Sequence, residues 1–110
     1  MAVKANIVID QGTDFSALID VETASGAVFD LQGYTVASQM RKNYAATTAT
    51  NFICSHNGAL GQITISLDSS VTEVLEPGRY LYDIEITSGG GSKVRVVQGT
   101  ATVTAGITRT

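Results

Sequence analysis

Tryptophan is absent from the chain, and cysteine, proline and histidine occur once each, as Cys54, Pro77 and His56. A single thiol excludes an internal disulfide and any cysteine-based metal cluster, so stability has to come from packing and strand pairing. Charged side chains make up only 15% of the chain, with 7 Lys and Arg against 10 Asp and Glu for a net charge of −3. That balance lacks the basic footprint needed to hold a nucleic-acid backbone, and no nucleic-acid partner is expected. A membrane span needs about 20 consecutive apolar residues. The longest uncharged stretch, Asn43 to Leu67, is studded with Thr, Asn, Ser, His and Gly, so no span is expected. Met1-Ala2-Val3-Lys4 leads into a short alternating run rather than the charged region and apolar block of a secretory leader, and synthesis in a cytosol is expected.

What remains is a threonine-rich chain of 110 residues, 44% apolar, which is too apolar for disorder. Its length suits one domain, residues 1–110, that buries roughly 65% of its unfolded surface. One core fits in such a domain, and a deep enclosed cleft does not.

Alternation of period two dominates and predicts strands. Val3, Ala5, Ile7 and Ile9 form one face of a first strand, opposite Lys4, Asn6, Val8 and Asp10. Phe15, Ala17, Ile19 and Val21 alternate with Ser16, Asp20 and Glu22, and Leu18 breaks the polar face of that second strand. A short piece, Val28 to Leu31, precedes Gln32-Gly33 and a third long strand from Tyr34 to Arg41. Lys42 to Thr50 is polar and aperiodic and reads as a loop or weak edge. Phe52 to Ser55, the turn His56-Asn57-Gly58, and Ile63 to Leu67 predict a hairpin.

Ser70 followed by Glu73 fits a capping box, with Val71, Val74 and Leu75 at helical spacing. One or two helical turns are predicted there, ended by Glu76-Pro77-Gly78. The last third predicts a long hairpin. With Ser88 opposite Ser92, Ile86 faces Val94, Ile84 faces Val96 and Glu85 faces Arg95; a bulge is expected at Gly99. About seven antiparallel strands and one short helix near residues 69–75 suit an all-β, immunoglobulin-like sandwich. A closed barrel is the alternative arrangement.

Chemistry-bearing residues are sparse. His56 lies in a turn sequence, and Cys54 reads as a small core or interface residue, since a nucleophile would need a nearby cation or helix start to lower its pKa. Gly89-Gly90-Gly91 is followed by a strand rather than by the helix that a phosphate loop requires. Asp10, Asp14, Asp20, Glu22 and Asp30 lack the spacing of a calcium loop. Asp83 and Glu85 share a strand face, where Arg95 makes a surface ion pair the simpler account. No catalytic, cofactor or metal residues are assigned, and no enzyme activity or cofactor is expected.

At Pro77-Gly78-Arg79-Tyr80-Leu81-Tyr82 the spacing resembles the tyrosine corner of immunoglobulin-like domains, with Tyr80 at the corner and Tyr82 where a second cysteine would stand. Together with Ile9-Asp10-Gln11-Gly12-Thr13-Asp14-Phe15 and Phe29-Asp30-Leu31-Gln32-Gly33-Tyr34, the corner region Glu76 to Ile84 is similar to small β-sandwich virion proteins of tailed bacteriophages. These include the amino-terminal domain of baseplate upper proteins and the short structural proteins of cyanophages. The resemblance covers about Ile7 to Val103.

It implies a non-enzymatic virion structural protein, made in the host cytoplasm and docked to other virion proteins in many copies or as a homo-oligomer. The tail, baseplate, neck or fibre-attachment region is the expected place, and capsid decoration is the alternative. A glycan-binding module, with Tyr44 and Asn43 as its candidates, is a further one.

The docking residues are expected in the first strand (Val3, Ala5, Ile7), in the loop (Arg41, Lys42, Tyr44) and in the tail (Ile107, Arg109), because strand edges and termini can pair with another chain. Residues 1–6 and 105–110 are expected to be flexible or ordered by a partner.

Overall fold

The computed structural model describes residues 3–21, 30–43, 45–59 and 61–107. Two sheets pack face to face in an all-β sandwich. The smaller sheet contains β3 (Phe15–Asp20), β7 (Gln62–Leu67) and β6 (Ile53–Asn57), in that order. The larger contains β9 (Lys93–Thr104), β8 (Gly78–Thr87), β4 (Thr35–Arg41) and the two-residue β5 (Thr50–Asn51). Its outer edge is an interrupted first strand, β1 (Val3–Lys4) and β2 (Ile7–Asp10), lying along β9. Strict alternation places each layer. In β7, Ile63, Ile65 and Leu67 are buried while Gln62, Thr64 and Ser66 face outward. The predicted β6–β7 hairpin is present, with Cys54 opposite Ile65 and Ser55 opposite Thr64.

Three features depart from the sequence reading, each for a local reason. First, β1 and β2 run parallel to β9, so the strands are not all antiparallel. Val3 lies beside Val97 and Ile7 beside Ala101. The turn after Asp10 carries the chain across to the other sheet, so no hairpin links the first strand to its neighbour.

Second, the β8–β9 register holds for Ile86 with Val94 and Glu85 with Arg95, but Ile84 then pairs with Val97, not Val96. The bulge is at Val96 rather than Gly99. The apolar residues of β9 switch from even positions (Val94, Val96) to odd ones (Val97, Ala101, Val103), and the extra residue lets the adjacent Val96 and Val97 both be buried while Val94 stays 41% exposed.

Third, the helix is the single turn α1 (Ser69–Thr72), with Asp68 at its N-cap and no side-chain cap from Asp68 itself. The expected capping box does not form. Asp14, from the far end of the chain, accepts the Ser69 N–H at 2.8 Å instead. Thr72 and Leu75 are the buried positions of this connection, and Val74 is 76% exposed.

Gly99 has a different task. A methyl group there would sit 2.1 Å from the Ala5 carbonyl oxygen. That carbonyl accepts the Tyr82 hydroxyl at 2.5 Å, while the Ala5 N–H donates to the Gln98 carbonyl at 3.0 Å. The break between β1 and β2 is therefore pinned from below. Tyr82 is buried, which pushes its phenol pKa up.

Between the layers, Phe52 stands 6.1 Å from both the Phe15 and the Tyr82 ring, in tilted and edge-on arrangements. This aromatic row links β3 to β8, where immunoglobulin domains with a disulfide place their bridge. Each such pair contributes about 0.5–1.5 kcal/mol beyond the area it buries. Phe52 is also where the chain changes sheets: Thr50 and Asn51 pair with β4, the Phe52 N–H donates to the Ser38 carbonyl at 3.0 Å, and Ile53 begins the pairing with β7. The Tyr80 hydroxyl donates to the Glu76 carbonyl at 2.8 Å, which is the tyrosine corner expected from the sequence.

Tyr82→Phe is expected to cost about 1 kcal/mol, the net worth of one hydrogen bond. Gly99→Ala should cost more, because backbone must move to admit the methyl group. Both should speed amide exchange at Ala5 ahead of β7 amides. Equal exchange rates at Ala5 in wild type and both variants would show that the pin does not hold the strand.

Candidate functional site

β6 persists through Asn57, so Cys54 and His56 point to the same side of one strand. Two residues of strand separate them by about 6.6 Å, beyond hydrogen-bond reach. His56 is exposed. Cys54 is half-buried, its thiol donates to the Phe52 carbonyl at 3.6 Å, and burial raises its pKa above the ordinary thiol value. A thiol kept protonated in this way is a packing group, not an activated nucleophile.

The triple glycine forms the hairpin tip, where the Ser88 N–H donates to the Ser92 carbonyl at 2.9 Å and Gly91 takes a left-handed φ of 89°. Among the described residues no group of three or more His, Cys, Asp or Glu side chains is placed to hold a metal ion.

The expected ion pair is redirected. Arg95 stands opposite Glu85 but pairs with Asp83 at 3.0 Å and bonds Gln98. The bulge at Val96 tilts it one row along the sheet. These residues, with Lys4, Gln39 and Arg41, border an open polar trough of about 620 Å³ on the outer face of the larger sheet. Its walls carry both charge signs, and the one aromatic residue among its described lining, Tyr82, is buried, with its hydroxyl engaged by Ala5.

The residues expected to meet partners have varied fates. Ala5 is committed to β9 and Tyr82, and half-buried Ile7 packs against the core. Lys4, Asn6 and Val8 are what the first strand presents outward. Residues 3–6 are held against β9, and the Gly106 N–H is held by the Gln11 side chain at 3.0 Å. Val3 pairs with Val97 through its backbone.

Arg41 donates to the Ala46 carbonyl at 2.7 Å and to Gln39, which fixes the loop after β4. Lys42 pairs with Glu76 and sits 5.8 Å above the Tyr80 ring. The hydrogen bond and charge of Lys42 hold the Glu76 carboxyl below its ordinary pKa. Its share of stability is therefore present at neutral pH and lost as pH falls through that lowered value. Ile107 is fully solvated at 97% exposure. Tyr44 and Arg109 lie outside the described residues.

One end of the sandwich is knitted by a cluster that the periodicity does not reveal. The buried Thr72 hydroxyl donates to the Thr13 carbonyl at 2.7 Å and accepts the Gly12 N–H at 3.1 Å. Gln11 donates to the Leu75 carbonyl at 2.8 Å. The turn between the sheets and the α1 connection are thereby fastened together.

The strand edges differ in how well they are closed. The first strand is interrupted at Ala5-Asn6. β5 covers only Gln39 and Met40 of β4. The free side of β6 is bracketed by the bond from Phe52 to Ser38 and by another from the Leu31 N–H to the Gly58 carbonyl at 2.9 Å. β3 has six continuous residues and no partner on its outer side among the described residues.

No protein-family model matches the chain, and no curated protein matches it. Among solved structures the chain is similar to an internalin-like protein of Listeria monocytogenes, at 15% identity and a TM-score of 0.45. That match covers 96% of this chain but only 28% of the other. It is also similar to AggA, the major subunit of aggregative adherence fimbriae type I from Escherichia coli, at 13% identity and a TM-score of 0.46, covering 90% of this chain and 89% of that one. Neither is described as a bacteriophage protein, and at this level of likeness nothing about either protein's function transfers.

Thr72→Val keeps the volume but strands the Thr13 carbonyl and the Gly12 N–H, and should cost about 1–3 kcal/mol in denaturant unfolding. A loss no larger than that of an exposed Thr35→Val control would remove the role given to this hydroxyl. Cys54 should react with a thiol reagent at neutral pH more slowly than free glutathione, and speed up on unfolding. Reaction at the glutathione rate in the folded state would contradict the burial argument.

Proposed function

We propose that this chain is a non-enzymatic structural subunit of a tailed-bacteriophage particle. It docks to neighbouring virion proteins in the tail, baseplate, neck or fibre-attachment region. The observation that carries this reading is the distribution of unused binding capacity. The described chemistry-bearing side chains are dispersed or engaged inside the fold. What is left over is backbone at strand edges and flat sheet faces.

Unpaired strand edges recognise other extended chains through main-chain hydrogen bonds, a mode that needs no pocket. Few charges and many hydroxyls on the outer faces lower the cost of covering them. The order of the Gln11-Gly12, Gln32-Gly33 and Pro77-Gly78 turn motifs, which resembles bacteriophage virion β-sandwiches, supplies the setting.

An antibody raised against the purified chain should label native particles on the tail or baseplate. Labelling confined to the head surface would make the protein a capsid decoration subunit, and particles that lack the chain altogether would sink the virion reading.

A further inference from the structure

β3 is the longest uninterrupted strand edge left without a partner among the described residues. The Val21 N–H donates to the Gly61 carbonyl at 2.7 Å, which sets the parity of this ladder. Odd-numbered residues of β3 turn their N–H and C=O toward β7, so even-numbered Ser16, Leu18 and Asp20 turn theirs outward. No described group bonds to those outward backbone atoms.

Two further observations mark the same edge. Phe15, Ala17 and Ile19 face the core yet are only half-buried, while Ile63 and Ile65 beside them on β7 are fully buried, so among the described residues the sandwich is less closed along this side. Leu18 is 61% exposed in the middle of the strand. Natural edges are usually guarded by lysine, proline or a bulge. β3 has none of these, and its one charged residue, Asp20, is its last.

We infer that this edge pairs with the same edge of a second copy of the chain, antiparallel about a two-fold axis at Leu18. This names a first partner for the docking module proposed above. The strand is complementary to itself about its centre. Leu18 meets Leu18 of the second copy, giving the exposed side chain an apolar neighbour. Ser16 stands opposite Asp20, so a hydroxyl donor faces a carboxylate and the two Asp20 residues stay apart. Ala17 stands opposite Ile19, covering the half-buried core positions. The outward N–H and C=O groups of Ser16, Leu18 and Asp20 all find partners, and the two smaller sheets join into one. Such an isologous contact closes on itself and does not propagate.

Sedimentation of the purified full chain should show a concentration-dependent dimer. Leu18→Lys, a change at an exposed position that the fold tolerates, should raise the dissociation constant about tenfold or more by bringing two ammonium groups together at the axis. In a Cys54→Ser background, a short bismaleimide should link Leu18→Cys chains in pairs and leave Ile53→Cys chains single.

A monomer at all concentrations, a dimer indifferent to Leu18→Lys, or linkage at Ile53→Cys in place of Leu18→Cys would each overturn the inference. A monomer still located in the tail would remove self-pairing and leave the docking reading intact. A Leu18-dependent dimer found in no particle would do the reverse.

Discussion

The Ala5 carbonyl oxygen occupies the space that any side chain at position 99 would need, and the Tyr82 hydroxyl reaches out of the core to donate to it. That contact commits the first strand to the larger sheet. Once β1 and β2 lie beside β9, they are not available to pair with β3, and among the described residues the second sheet is left three strands wide with an unpaired side. The incomplete burial of Phe15, Ala17 and Ile19, the solvation of Leu18 and the unused backbone of the strand all follow from that one allocation. A residue larger than glycine at position 99, or a side chain shorter than tyrosine at 82, would weaken the reason for the chain to make this choice.

Much of this architecture is legible in the chain because it rests on short-range alternation. The inward faces of β7 and β8, the hairpin through Asn57-Gly58, the turn at Ser88 to Ser92 and the Tyr80 corner follow from period-two patterning and turn chemistry, which depend on neighbours in sequence. What escapes such reading is set by residues far apart. The ion partner of Arg95 depends on where a bulge falls, and the bulge follows from an even-to-odd switch in the apolar residues of β9 that Gly99 masks. The cap of α1 comes from Asp14, more than fifty residues away, and Thr72 looks like one more surface hydroxyl until the Gly12 turn is folded against it. Leu18 is the exception among the surface features, visible as an apolar intruder on a polar face, although its meaning needs the topology that leaves β3 at an edge.

The core also shows how a chain without a second cysteine holds two layers together. The row Phe15, Phe52 and Tyr82 spans the sheets through ring edges, and its middle member lies on the segment that passes from one sheet to the other. The layers are thus joined twice at Phe52, by side-chain packing and by continuous backbone. A covalent bridge would restrict the unfolded chain. An aromatic row stabilises only the folded state, and it keeps working in a reducing compartment.

The parallel lie of the first and last strands has a mechanical meaning. A pull on the two ends of the chain loads β2 and β9 in opposite directions along their length, so the hydrogen bonds from Ile7 to Asp10 bear the force together in shear instead of opening one after another like a zipper. Rupture under tension is governed by how fast the structure can be torn open, not by its equilibrium stability. A small domain with modest folding energy can therefore resist a brief, large strain when it is tethered through its terminal strands.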